Sequence, residues 1–147
     1  MAHNFVNVWT DGSYKPENNG TGGRGVFFGD NHRLNVAERA DGSPTSGKAE
    51  IQAARRAVEI AKREGVKNLR VHSDSQEVVT GMNENMAVWK ANNWTNFEGH
   101  QVVNKTEFER LNRQLDGSIN VEFVKVSRGT REMKEADKLA NKGAQLR

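Results

Sequence analysis

Four acidic residues stand where structure alone seldom puts an acid: Asp11, Glu50, Asp74 and Asp137. Asp11 closes the alternating run Phe5-Val6-Asn7-Val8-Trp9-Thr10, which reads as a strand with Gly12 and Ser13 as its exit. Asp74 repeats that placement after Leu69-Arg70-Val71-His72-Ser73. Glu50 falls in the first turn of a helix and shares a face with Ala53, Ala54, Ala57 and Ala61, the stripe that should meet a sheet. Asp137 lies within a last helix, in the stripe of Met133, Ala136, Ala140 and Gly143. Singly, each has a plain explanation: strand-end aspartates initiate turns, and an N-terminal glutamate complements a helix dipole. Jointly, two acids at strand ends and two facing inward from helices could converge where α/β sheets form ligand crevices. Four carboxylates that close cannot all stay ionised without cations. Two divalent ions about 4 Å apart would relieve the repulsion and form a clamp for phosphoryl transfer, one activating a water and the other stabilising the leaving oxygen.

The elements that must position these acids follow from periodicity. After a polar loop from Tyr14 to Gly23, Gly25–Gly29 and Leu34–Glu38 read as a hairpin around Asp30-Asn31-His32. Thr45 or Ser46 offers an N-cap for a helix to about Glu64, closed by Gly65. A strand, Leu69–Ser73, precedes a short helix from Gln76 to about Met82 and another over Ala87–Ala91. Trp89 to His100 has no clean period. Lys105–Leu115 reads as a helix with Phe108 and Leu111 inward, Ile119–Val126 as a strand, and Glu132 onward as the final helix. Three strands, helix, strand, helices, strand, helix imply a mixed sheet covered by helices.

Composition narrows the chemistry. A length of 147 residues fits one domain, taken as residues 1–147. No run of 18 apolar residues suggests a membrane span, and Met-Ala-His-Asn lacks a secretory pattern, so an intracellular protein is expected. The absence of cysteine fits a reducing compartment and leaves carboxylates or histidines as metal ligands, which for carboxylates means Mg²⁺ or Mn²⁺. With four of the 19 acids set aside, 22 basic residues face 15 acidic ones, an excess of 7 compatible with a polyanionic partner. Phosphate-binding Gly-x-x-x-x-Gly-Lys-Ser/Thr, Gly-x-Ser-x-Gly and His-Glu-x-x-His motifs are absent.

The succession Thr10-Asp11-Gly12-Ser13, Ala49-Glu50-Ile51, Ser73-Asp74-Ser75 and Glu135-Ala136-Asp137-Lys138-Leu139-Ala140 resembles the type 1 ribonucleases H, in their eukaryotic-like catalytic domain, over nearly the whole chain. Leu34-Asn35-Val36, the Trp89–Trp94 segment and Val103–Phe108 extend the likeness. The resemblance implies an α/β, ribonuclease H-like fold: a five-stranded mixed sheet flanked by helices. It also implies a monomer that cuts the RNA strand of RNA–DNA hybrids with two Mg²⁺ ions, Mn²⁺ being a possible substitute. Asp11, Glu50, Asp74 and Asp137 would then be the metal carboxylates. Gly12 and Ser13, with Ser46 at the start of the long helix, would read the RNA strand; Thr45 and Asn104 would hold a DNA phosphate; Trp89 would flank the DNA groove. In the loop before Asp137, where this chain departs from the family, Arg128 or Arg131 could hold a phosphate.

Departures from that pattern weigh on the activity. The loop Ser127-Arg128-Gly129-Thr130-Arg131 lacks the family's histidine, and arginine cannot shuttle a proton near neutral pH. His3, His32 and His100 sit in unpromising places, and His72 is expected to pack or hydrogen-bond on its strand. Ser43, Ser46 and Gly47 replace an Arg, an Asn and a Gln that touch the duplex, and Glu77 and Asn85 replace aromatic residues of the DNA groove. Slowed hydrolysis is the first expectation. A non-catalytic nucleic-acid-binding module with the same fold is the alternative, and a nuclease or strand-transferase of that fold acting on DNA alone is a third.

Overall fold

A computed structural model of the protein describes residues 4–146. Its centre is β1, Val6–Lys15, which pairs antiparallel with β2, Thr21–Phe27, and parallel with β4, Asn68–Ser73. The outer strands are β3, Val36–Arg39, antiparallel to β2, and β5, Asn120–Lys125, parallel to β4. The sheet order is β3-β2-β1-β4-β5, the mixed five-stranded arrangement expected. Two long helices cover opposite faces: α1, Ser46–Arg63, lies against β1, β2 and β4, and α5, Arg131–Gln145, against β1, β2 and β3. Between them in sequence come α2, Gln76–Thr80, a widened turn over Gly81–Asn85, α3, Met86–Ala91, and α4, Lys105–Gln114.

Two expectations are corrected here. Gly12 and Ser13 do not end the first strand; they continue it, opposite Arg24 and Gly23. Likewise, the polar loop read over Tyr14–Gly23 is much shorter, because Thr21-Gly22-Gly23-Arg24 belongs to β2. Glycine is a poor strand former, so this stretch carries no propensity signal. The reason is close packing. A Cβ on Gly23 would strike the Ala140 carbonyl and one on Gly25 the Ala136 carbonyl, so α5 lies directly on the β2 backbone.

The capping signals did determine α1. The Thr45 hydroxyl accepts from the Lys48 amide at 3.1 Å, and Gly65 takes the left-handed φ of +78° just past the end. Ala53, Ala54, Ala57 and Ala61 are fully buried, with Ile51, Val58 and Ile60 beside them. Against this face pack Phe108 and Leu111 of α4, each worth about 1.5–3 kcal/mol of burial. Asn35 ties the β2–β3 connection, its Oδ1 accepting from Phe28 N at 2.6 Å and its amide donating to Gly29 O at 2.7 Å. Arg24 bridges Glu38 and Asp41, and Arg55 reaches Asp41 at 3.0 Å, locking the β3 end onto α1.

Candidate active site

Parallel strands β1 and β4 leave register at Thr10 and Ser73, so Asp11 and Asp74 follow each other across the same sheet edge. From the helix side, Gly12 decides where Glu50 goes. A Cβ at Gly12 would collide with the Ala49–Glu50 backbone, so only glycine lets β1 and α1 touch there. The contact delivers the Glu50 carboxylate to the Gly12 N–H, which it accepts through Oε1. Oxygens of Asp11, Glu50 and Asp74 consequently lie within 4.8 Å of one another. They open onto a cavity of about 740 Å³ that Lys125, Ser127 and Arg128 also line.

Two details differ from expectation. Glu50 sits one turn inside α1, not in its first turn, so the helix dipole compensates it less and the Gly12 amide more. Asp137 is exposed rather than buried in the apolar stripe; the stripe of Met133, Ala136 and Ala140 ends beside it. It nevertheless faces the other acids, lining a cavity of about 70 Å³ with Asp11, Asp74, Arg128 and Lys134. Asn141, one turn later, donates to Asp137 Oδ2 at 3.2 Å and accepts from the Ser13 hydroxyl at 2.7 Å. This Ser13–Asn141–Asp137 chain ties the fourth acid to β1.

Crowding raises the acids. Burial lifts Asp11 from 3.8 to about 6; its hydrogen bond with Glu50 works the other way, and the charges of Asp74 and Asp137 add to the rise. Burial likewise pushes Glu50 well above the usual carboxylate range, reinforced by the bond to Asp11 and its charge and partly offset by the Gly12 amide. With Asp11 and Glu50 both raised and set close to Asp74, ionising the cluster costs free energy that a bound cation would offset. An all-oxygen, three-carboxylate cluster with too much negative charge fits a hard divalent cation.

The remaining sequence candidates scatter. Ser46 and Arg128 line the acid cavity, as does Gly12, whose N–H is already committed to Asp11 Oδ1 and Glu50. Ser13 is turned into the α5 interface. Thr45 is occupied as the α1 cap, and Asn104 donates its amide to Glu77 Oε2 at 3.0 Å. Trp89 packs at a tilt against Trp94 and Phe108, ring centroids 6.0 and 5.0 Å away, and lines a neighbouring cleft of about 400 Å³. His72 packs flat on Trp9, centroids 4.7 Å apart, and bonds Asn7 Oδ1 at 2.9 Å; burial lowers its pKa. His3 lies outside the described residues. Sequence reasoning missed Lys125 and Asn141. Lys125 was findable, since it ends β5 opposite Ser73, one residue before Asp74.

A mixed sheet in this order, crossed by α1 and α5 and bearing carboxylates where β1 and β4 part, defines a ribonuclease H-like α/β protein. The RNase H family model matches residues 3–145, and the chain belongs to that family. It is 36% identical over 144 residues to human Ribonuclease H1, covering 95% of this chain and 50% of that protein. It is 34% identical over 144 residues to the Ribonuclease H of Saccharopolyspora erythraea, covering 97% and 92%. Among solved structures, the RNase H1 of the halophilic archaeon Halobacterium salinarum superposes with a TM-score of 0.68 at 24% identity, covering 95% of this chain and 97% of that one. The foamy viral protease-reverse transcriptase in complex with dsDNA gives 0.76 at 23%, covering 99% of both. The chain spans half the length of the human, rat and mouse relatives.

Proposed function

We propose that this protein is a metal-dependent endonuclease that hydrolyses the RNA strand of RNA–DNA hybrids, acting as a monomer. The observation that carries the reading is the meeting of Asp11, Glu50 and Asp74 oxygens within 4.8 Å, at the sheet edge of an RNase H family chain. Relatives named Ribonuclease H support it, and so does the fold shared with the foamy viral enzyme whose solved complex contains an RNA/DNA hybrid.

Asp11, Glu50, Asp74 and Asp137 would hold two Mg²⁺ ions, with Mn²⁺ as a substitute. Bound there, such ions supply an activated water and neutralise charge on the leaving oxygen. The chain's own residues do the rest. Gly12 N–H orients Glu50, Asn141 steadies Asp137, and Lys125 with Arg128 offers positive charge to a phosphodiester entering the cavity. The Ser127–Arg131 loop holds no histidine to pass a proton. Turnover about tenfold to a hundredfold below that of a family member with a loop histidine is the expected consequence.

A cleavage assay with hybrid, duplex RNA and duplex DNA, in Mg²⁺ and in Mn²⁺, tests the proposal. Cutting confined to the RNA strand of the hybrid, and lost in Asp11→Asn, supports it. Binding without cutting would make the protein a nucleic-acid-binding module, and cutting of duplex DNA would place it in a different substrate class.

A further inference from the structure

The acid cavity and the Trp89-walled cleft meet at one side chain, Glu77, which lines both. Glu77 is exposed, three residues beyond Asp74 on α2. Its Oε2 accepts the Asn104 amide, and its Oε1 lies 2.8 Å from where a Gly47 Cβ would be, so the carboxylate is wedged between α1 and the start of α4. Among the described residues no lysine or arginine pairs with it. Asn104 also borders a third cavity, beside Lys48, Lys105 and Arg110. Glu77 thus places a negative charge without a basic partner where the acid cavity and the cleft adjoin. It also engages the amide that would otherwise be free to donate to a bound strand.

The structural return on this charge is small. An acid in the first turn of a five-residue helix gains little from the dipole, and a glutamine would still accept the Asn104 amide. A phosphodiester backbone meets both effects as a penalty, through like-charge repulsion and a donor already engaged.

Building on the nucleic-acid reading of the site, we infer that Glu77 is an affinity-limiting residue that weakens strand binding across the acid cavity and the cleft. It limits how tightly substrate and product are held, and it lowers the salt sensitivity of binding by opposing the phosphates that Lys125 and Arg128 attract.

The test is equilibrium binding of a fluorescently labelled RNA–DNA hybrid to the whole protein, in chelator so that no cutting intervenes, at several salt concentrations. Glu77→Gln removes the charge and keeps the acceptor; Glu77→Ala removes both. Glu77→Gln should tighten binding about three- to tenfold, the scale of one partly solvated like-charge contact. It should also steepen the plot of log affinity against log salt by about one. Glu77→Ala should tighten at least as much, because Asn104 is released. Wild-type binding with both variants unchanged in affinity and slope overturns the role of Glu77 and leaves the proposed function standing. A wild-type protein that binds no hybrid in chelator overturns this role for Glu77, and one that also fails to cut hybrid in Mg²⁺ and Mn²⁺ overturns the proposed function with it.

Discussion

Removing one charge from the acid cluster should make the cation-free protein more stable. Asp11 ionises at about 6 in the folded chain and at 3.8 as an ordinary carboxylate. The folded state therefore binds the extra proton between those values, and stability falls as pH rises through that window. The cost is absent below pH 3.8 and fully present above about 6, where it amounts to about 3 kcal/mol. For a chain of this length that is about 6–12 °C in melting temperature. Asp11→Asn cannot ionise, and its amide can still donate to Glu50, so the variant should escape the cost. The assay is thermal unfolding in chelator from pH 5 to pH 8. The wild type should lose stability relative to Asp11→Asn as pH rises, with the gap complete by pH 7. Adding millimolar Mg²⁺ should raise the wild type and leave the variant unmoved. An Asp11→Asn protein less stable than wild type at pH 8 in chelator would refute the claim that ionising Asp11, buried among the other acids, destabilises the cation-free fold.

Further outcomes follow from the same geometry. Cation affinity should rise between pH 5 and pH 7, because Asp11, raised by burial to about 6, must lose its proton to bind the ion; calorimetric titrations in buffers of different ionisation enthalpy would count the proton released. Gly12→Ala should cost about 1–3 kcal/mol in urea unfolding and, by parting β1 from α1, reduce hybrid cleavage at least as far as Glu50→Gln does. Asn141→Asp keeps an acceptor for the Ser13 hydroxyl but sets a like charge against Asp137, so cleavage should fall while the melting temperature changes little.

Capping chemistry and alternation were enough to mark out α1, β4 and the sheet composition, because Thr45, Gly65 and the Leu69–Ser73 run state their roles locally. The glycines of β2 do not. Gly23 and Gly25 are in a strand because α5 needs their missing side chains, and that requirement comes from a helix more than a hundred residues away. Gly12 misled in the same way: a turn signal by type, it is the contact that carries Glu50 to Asp11. The four acids were legible from their anomalous positions, yet the reason offered for Asp137 was mistaken. Helical periodicity put it in the buried stripe, whereas it stands at the exposed margin and reaches the site from there. Asn141 and Ser13 had no local signal, since their bond joins residues 128 apart.

The central claim is that acids distant in sequence form one cation cage, and Mn²⁺ binding measured by electron paramagnetic resonance at pH 7.5 tests it most directly. Wild-type protein should deplete the free Mn²⁺ signal, and Asp11→Asn, Glu50→Gln and Asp74→Asn should each abolish that depletion while remaining folded. Wild-type protein that takes up no Mn²⁺ at millimolar concentration, or single variants that bind it as well as wild type, would contradict the account.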